Sequence, residues 1–352
     1  MNVCILTTSL RKKSGPNNVI YNLVKEWFSL GCEVTIISVK PFSKEESERF
    51  KDLSSLYSLE LENKASLISA IKKYIRLIER FNFDIINSHG LIPDIINKLS
   101  SNKDTPPVIS TLHNHPKKDY AFNYGWFQGS IMAFIHKVVL SNENVITVSK
   151  EGADYLSSKA TFIPNGVLSL NYNKVYSSCS KKTKLVFCGH MNSRKDPKTF
   201  LDACKILIRS GMDLEVKILG DGDLRQELQN LYPEFEFFGF VKHSDVINHY
   251  LDADIFVMSS KAEGMPMAML EALSVGLPVV VSNIPSLSYL IDNYNIGRSF
   301  GVGNASECAE AIKYVVEHYE LYEPKNEFDR HFSSEIMAKR YLDYFSNLLD
   351  VK

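Results

Sequence analysis

The sequence predicts an α/β protein built from two doubly wound parallel-sheet domains that face each other across a cleft. Three observations carry this expectation. The chain has 352 residues, more than a single core of ordinary size takes up. Short apolar runs alternate with segments whose apolar residues recur at helical spacing, the βαβα pattern of a parallel sheet. A polar stretch at 169–183, "SLNYNKVYSSCSKKT", lacks any apolar period and divides the alternating series in two. The expected organisation is a first domain at 1–168, a linker at 169–183 and a second domain at 184–332. A final helix at 333–350 is expected to pack back on the first domain.

The elements follow in order. "NVCILTTS" is a buried strand, and the loop "LRKKSGP" leads to a helix marked by Val19, Ile20, Leu23, Val24, Trp27 and Phe28 and closed by Gly31. "EVTIISV", "FDIINSH", "PVISTLH", "NVITVS" and "ATFIPN" are the later strands of the first series. The second series runs "KLVFCG", a helix from Pro197, "LEVKILG", a helix from Asp223 with that residue as N-cap, "FEFFG" and a helix from His243. It continues with "DIFVMS", a loop, a short helix from Pro266 to Gly276, the strand "PVVVS" and a helix near 304–319. In such sheets ligands bind at the carboxyl ends of the strands, so the loops there are the place to look for chemistry.

Composition narrows the class. With 45% hydrophobic and 23% charged residues and a net charge of −1, the chain is an ordinary globular protein with no bulk attraction for nucleic acid. Residues 1–168 hold 20 Lys and Arg against 16 Asp and Glu, a balance of +4, and the remainder balances at −5. The six cysteines are scattered without metal-ligand spacing and look like small core residues of a reducing, cytoplasmic compartment. The first apolar run is too short for a secretory leader, and no stretch of about twenty apolar residues occurs.

Several loops hold candidate functional residues. Gly15 opens the first helix, where backbone approaches a ligand closely. His89, His113 and His115 follow strand ends; their spacing is not that of a helical metal pair, and hydrogen-bonding roles are expected. Asn165 sits in "IPNG", a tight turn after the last strand of the first domain. "CGHMNSRKDP" puts His190, Arg194 and Lys195 just before a helix start, a setting that suits phosphate. Asp-Gly-Asp at 221–223 and Asp-Ala-Asp at 252–254 are expected to be structural.

The stretch "SSKAEGMPMAMLEALSVGLPVVVS" poses a conflict. A helix start is an anion site, yet Glu263 precedes it and Glu271 lies about two turns in. Carboxylates repel phosphate but accept hydrogen bonds from hydroxyls. A ligand with phosphate in the middle and a hydroxyl-rich ring at each end resolves the conflict, and that describes a nucleotide sugar. Glu271 stands among Met269, Leu270, Ala272 and Leu273, where an unpaired carboxylate is costly, so a partnered role is expected.

At these residues the chain resembles the family-4 retaining glycosyltransferases of the GT-B fold. The pattern Ser-x-x-x-Glu-Gly-x-Pro, Leu-Glu-Ala, Gly-x-Pro-Val-Val carries the resemblance, with "ITVSK", "IPNGV", "ILGDGDL", "FGFV" and "SGPNNVIYNL" in order along the chain. The resemblance implies donor binding by the second domain. Glu271 holds the ribose, and Glu263 meets the transferred sugar, helped by Met265, Pro266, Met267 and Leu270. Lys195 neutralises the diphosphate, and backbone at Phe240 and Val241 reads the base. His113 comes near the sugar, and Gly15 approaches the phosphate. The family's second basic residue is replaced here by His190, and Arg194 is available to compensate.

The resemblance further implies retention at the anomeric carbon, no divalent metal or other cofactor, and a uridine diphosphate donor. The acceptor side is a saccharide or lipid-linked saccharide in surface-polysaccharide assembly. Two basic, aromatic segments, "KKYIRLIERFNF" and "HPKKDYAFNYGWF", suit peripheral contact with the cytoplasmic membrane face. Three other readings use the same architecture: a nucleotide-sugar-binding partner without activity, a nucleotide-sugar epimerase, and a metal-dependent transferase using Asp252 and Asp254.

Overall fold

The computed structural model describes residues 1–11, 14–61, 66–141, 143–156, 160–170, 172 and 182–350. Most of the expected linker, 171 and 173–181, lies outside the described residues. The chain divides into two compact units, Met1–Gly166 with Ser334–Lys352, and Val167–Ser333.

The first unit holds β1 (Asn2–Thr7), α1 (Gly15–Ser29), β2 (Glu33–Ser38), α2 (Lys44–Phe50), β3 (Ser55–Ser58), α3 (Leu67–Phe81) and β4 (Ile85–His89). It continues with α4 (Leu91–Ser100), β5 (Val108–Leu112), α5 (Pro116–Tyr124), α6 (Trp126–Leu140), β6 (Asn144–Thr147), α7 (Lys150–Leu156) and β7 (Ala160–Phe162). The seven strands order as β3-β2-β1-β4-β5-β6-β7, and every neighbouring pair is parallel. β1 is central and buried from Val3 to Thr7, which is why it reads as an unbroken apolar run rather than an alternating one.

The second unit holds β8 (Thr183–Cys188), α8 (Pro197–Arg209), β9 (Leu214–Leu219), α9 (Arg225–Leu231), β10 (Glu236–Gly239), α10 (His243–Asp252) and β11 (Ile255–Met258). Then come α11 (Met267–Ser274), β12 (Val279–Ser282), α12 (Pro285–Asn293), β13 (Gly297–Phe300), α13 (Ala305–Glu317) and α14 (Pro324–His331). Its six parallel strands order as β10-β9-β8-β11-β12-β13. Strand order reverses between β8 and β11, the switch point where ligands bind in such sheets. The core on one face of this sheet gathers Phe187, Phe200, Leu207, Ile218, Val257, Ile312 and Val315.

The last helix, α15 (Ser334–Asp350), belongs to the first unit. The Trp27 indole donates to the Ala338 carbonyl at 3.2 Å and packs on Tyr341 and Phe345, all four buried. Ser334 donates to Glu26 at 2.6 Å.

Two details differ from the sequence reading. Asp223 is not a helix N-cap: α9 begins at Arg225 after Leu224, without a side-chain cap. The Asp-Gly-Asp turn is bonded elsewhere, with Met191 donating to Asp221 O at 2.9 Å and Leu224 to Met191 O at 3.0 Å, so it braces the loop after β8. Glu271 is the fifth residue of α11, little more than one turn in, because Pro266 stands outside the helix as its N-cap.

Candidate functional site

The site in the second unit grows from the two loops at the switch point. After β8 the chain makes a tight path through Gly189–Asp196. Gly220, at φ +127, passes so close beneath that a Cβ there would lie 2.0 Å from the Gly189 carbonyl oxygen, so only glycine fits. Asn192 Oδ1 accepts from Lys195 N at 3.0 Å, and Asp196 adopts φ +46, uncommon outside glycine but tolerated by aspartate. The loop after β11 holds this shape: the Ser259 hydroxyl donates to Asp196 O at 2.7 Å, Lys261 N donates to Arg194 O at 2.7 Å, and Lys261 Nζ lies 3.4 Å from Asp196 Oδ2.

The result is one ion pair. Lys195 Nζ lies 2.7 Å from Glu263 Oε1, with the two side chains only 13% and 6% exposed. The Glu263 carbonyl accepts from the Ser286 hydroxyl at 2.9 Å, which ties its backbone to α12. Met265, Pro266 and Met267 are buried and lead directly into α11. No side chain caps α11, and the N–H groups of its first turn, from Met267 onward, have no intrahelical acceptor. Pro266 has no N–H, and its carbonyl takes the Leu270 N–H at 3.4 Å.

Glu271 follows on α11, its side chain 12% exposed, with Oε1 2.9 Å from His243 Nε2 at the start of α10. Cys188, at the end of β8, shows that these charges share one neighbourhood. Its thiol is pushed up to about 11, chiefly by burial, and it feels both Glu271 and Lys195. The structure therefore brings Lys195, Glu263, Glu271 and the start of α11, including the buried Leu270, together at the switch point. Arg194 adjoins through its backbone, and its guanidinium has no polar partner among the described residues.

His190 is placed differently. Its ring is exposed and its Nδ1 donates to the Asp221 carbonyl, which fixes the tautomer and leaves Nε2 as the outward nitrogen. Phe240, just beyond β10, is 75% exposed, and Val241 beside it is half-buried. Asp252 is occupied by Lys184 and Lys217, and Asp254 accepts from Lys184 N at 2.9 Å, which accounts for both aspartates structurally.

In the first unit, Gly15 is the exposed first residue of α1, with Ser14 as N-cap accepting from Asn17 N at 3.4 Å. Asn165 is buried next to Gly166, whose carbonyl accepts from the Asn22 amide at 3.0 Å. His89 and His113 form a stacked pair at the ends of β4 and β5, with Nδ1 of the first 2.9 Å from Nε2 of the second. Burial holds both neutral: His113 is lowered to about 4 and His89 well below the ordinary histidine value.

Sequence reasoning missed the partners. His243 lies 28 residues from Glu271 on another helix, and nothing local in "KHSDV" points to that contact. Asn192 and Ser259 in loops and Ser286 at the start of α12 shape the site through side-chain bonds to backbone, and no local pattern singles them out.

Comparison with known proteins identifies the architecture. The family "Glycosyltransferase Family 4" matches residues 13–168, and the family "Glycosyl transferases group 1" matches residues 171–330. The O-antigen biosynthesis glycosyltransferase WclY of Escherichia coli is 25% identical, with 97% of each chain covered. A UDP-Gal:α-D-GlcNAc-diphosphoundecaprenol α-1,3-galactosyltransferase of the same organism is 28% identical over 65% of this chain and 66% of its own. Among solved structures, sucrose-phosphate synthase of Thermosynechococcus elongatus superposes with a TM-score of 0.79 over the full length of both chains at 14% identity. HepE of Anabaena, in complex with UDP and glucose, does so with 0.76 over 98% of this chain and 99% of its own, also at 14% identity. With both halves matched in order and two parallel doubly wound units, the chain belongs to the family-4 glycosyltransferases of the GT-B fold and is a glycosyl-transferring enzyme.

Proposed function

We propose that the protein transfers a sugar, with retention and without a divalent metal, from a UDP-sugar to a saccharide or lipid-linked saccharide in surface-polysaccharide assembly. The observation that carries the donor site is the Lys195–Glu263 pair beside the uncapped start of α11. An ammonium has three donors. Lys195 is held 2.7 Å from Glu263 Oε1 as an ion pair in which that oxygen has no formed hydrogen bond among the described residues, so the ammonium has donors to turn to diphosphate oxygens, while the first-turn N–H groups of α11 and its dipole face the same anion. Glu263 keeps its second oxygen for a sugar hydroxyl. Glu271, steadied by His243, takes the ribose diol, and Phe240 and Val241 flank the base. Arg194 is the second cation for the diphosphate, with the exposed His190 ring beside it in the same loop. In this reading 1–168 takes the acceptor and 184–332 binds the donor; among residues of the first unit, Gly15 is assigned to the phosphate, His113 to the transferred sugar and Asn165 to substrate binding. Two relatives support the choice of donor and pathway: one is named for UDP-galactose and a polyprenyl diphosphate saccharide, the other for O-antigen biosynthesis.

In this reading catalysis is positioning plus stabilisation of the departing diphosphate by Lys195 and α11. The acceptor hydroxyl attacks on the face the diphosphate leaves, and a phosphate oxygen receives its proton. The reaction takes place at the cytoplasmic membrane face, with peripheral contact and no nucleic-acid partner.

Thermal unfolding with a panel of nucleotide sugars in chelator tests the donor site. At about 100 times Kd a donor adds about 2.7 kcal/mol to the folded state. One donor is expected to raise the melting temperature of the wild type in chelator and to do so far less in Glu271→Ala and Lys195→Ala. A shift that needs a divalent metal sinks metal independence, and one untouched by either substitution sinks this placement of the donor.

A further inference from the structure

The helical pair α5–α6 presents a large apolar surface that nothing in its unit covers. From α6, Trp126, Phe127 and Phe134 are 77%, 69% and 68% exposed, with Ile131 and Val138 about half exposed on the same side. Phe122 and Tyr124 of α5 extend the patch across Gly125. The opposite face of α6, through Gly129, Ala133, His136 and Leu140, is the one that packs inward. A water-facing helix face normally carries charge, and an exposed apolar patch of this kind marks an interaction surface.

The pair is rigidly built. Gly129 lets α6 lie against α5 so closely that a Cβ would come within 2.4 Å of Ala121 N. His136, 1% exposed, bridges Asp94 of α4 at 2.8 Å and the Tyr120 hydroxyl of α5 at 2.8 Å, and Asp94 is bound in turn by Ser88 and Ser110. This buried polar clasp fixes both helices on the sheet, so the aromatic side chains are displayed on a fixed frame.

Charge decides the occupant. The contacts Ala121–Gly129 and Tyr120–His136 show α6 folding back along α5, which puts Trp126 and Phe127 at the tip, and Phe134 farther back along the same face near Lys137. Between Pro116 and Leu140 stand Lys117, Lys118 and Lys137 and one acidic residue, Asp119. Lys118 is paired with Glu151 of α7, Lys117 and Lys137 have no ion-pair partner among the described residues, and α6 itself has no acidic residue. An exposed aromatic face flanked by Lys117 and Lys137 matches a bilayer with an anionic surface: rings at the acyl boundary, lysines reaching the headgroups.

We propose that the outer face of α5–α6 is the membrane-docking surface and lays its exposed aromatic side chains into an anionic phospholipid bilayer. This deepens the membrane-contact part of the functional reading and is tested without donor or acceptor. The reporter is built in: of the two tryptophans, Trp27 is fully buried and Trp126 is exposed. Full-length protein is mixed with phosphatidylglycerol–phosphatidylethanolamine vesicles or with phosphatidylcholine vesicles. Its emission is expected to shift to the blue and to be quenched by brominated acyl chains only with the anionic vesicles. F127S/F134S is expected to lower vesicle flotation at least about tenfold at unchanged melting temperature, and K117S/K137S to remove the preference for phosphatidylglycerol. Wild-type flotation that F127S/F134S leaves intact overturns this surface but keeps the membrane reading. Absence of wild-type flotation overturns both and leaves the donor site untouched. Lipid-independent self-association abolished by F127S/F134S assigns the face to a second copy instead.

Discussion

Lys195 has a partner on one side and a proposed ligand on the other, and the two requirements separate by substitution. Lys195→Met leaves the nearly buried Glu263 carboxylate without its cation and is expected to lower unfolding free energy by roughly 3 kcal/mol, measured by denaturant titration. Glu263→Gln keeps the shape and removes the charge; it is expected to cut kcat by at least about 100-fold with little change in donor affinity by calorimetry. The histidine pair makes a pH prediction. The folded value of His113 lies near 4, below the ordinary 6.5, so the unfolded chain binds more protons between those values. Stability is therefore complete above about pH 6.5 and falls on acidification toward 4. His113→Gln is expected to flatten that acid limb in melting scans, and an unchanged limb would place the proton uptake elsewhere. At this scale the charged residues of the site were legible because lysine and glutamate in an apolar context demand a reason. The hydrogen-bond partners were not, since pairs such as Glu271–His243 are made by the fold.

At the scale of elements, legibility followed burial. Strands with both faces covered, such as β1 and β12, are continuous apolar runs and were readable with their flanking glycine and proline. The edge strands β3 and β13, "SLYS" and "GRSF", are mixed in polarity and half-buried, and no pattern announces them. Helices α12 and α14 went unnamed for a similar reason: each is short, and α14 buries only Pro324 and Phe328. The two basic, aromatic segments of the first unit also look alike on paper, yet α3 turns Tyr74 and Leu77 into the core while α6 turns its aromatics outward. Gly129 is the joint on which the second arrangement rests. Gly129→Ala drives a methyl into the backbone of Ala121 and is expected to lower the melting temperature by several degrees, a cost of about 1–3 kcal/mol, and to weaken vesicle binding along with it.

At the scale of the molecule, the first unit is assembled from two distant stretches of chain and the second from one. The dependence is concentrated on Trp27, whose indole meets the Ala338 carbonyl and the rings of Tyr341 and Phe345. Chain ending at Ser333 is expected to show red-shifted Trp27 emission and an early melting step from the first unit, while the second unit, which keeps its own sheet and core, unfolds later. A single native-like transition in that variant would show that α15 contributes little. The division also orders events during synthesis. The strands β1 to β7 leave the ribosome first, but their outer helix is translated only after all of β8 to β13. The earlier-made half thus waits for the later one, and a nascent chain interrupted anywhere before residue 334 is left with its apolar Trp27 side uncovered, the kind of surface that invites aggregation.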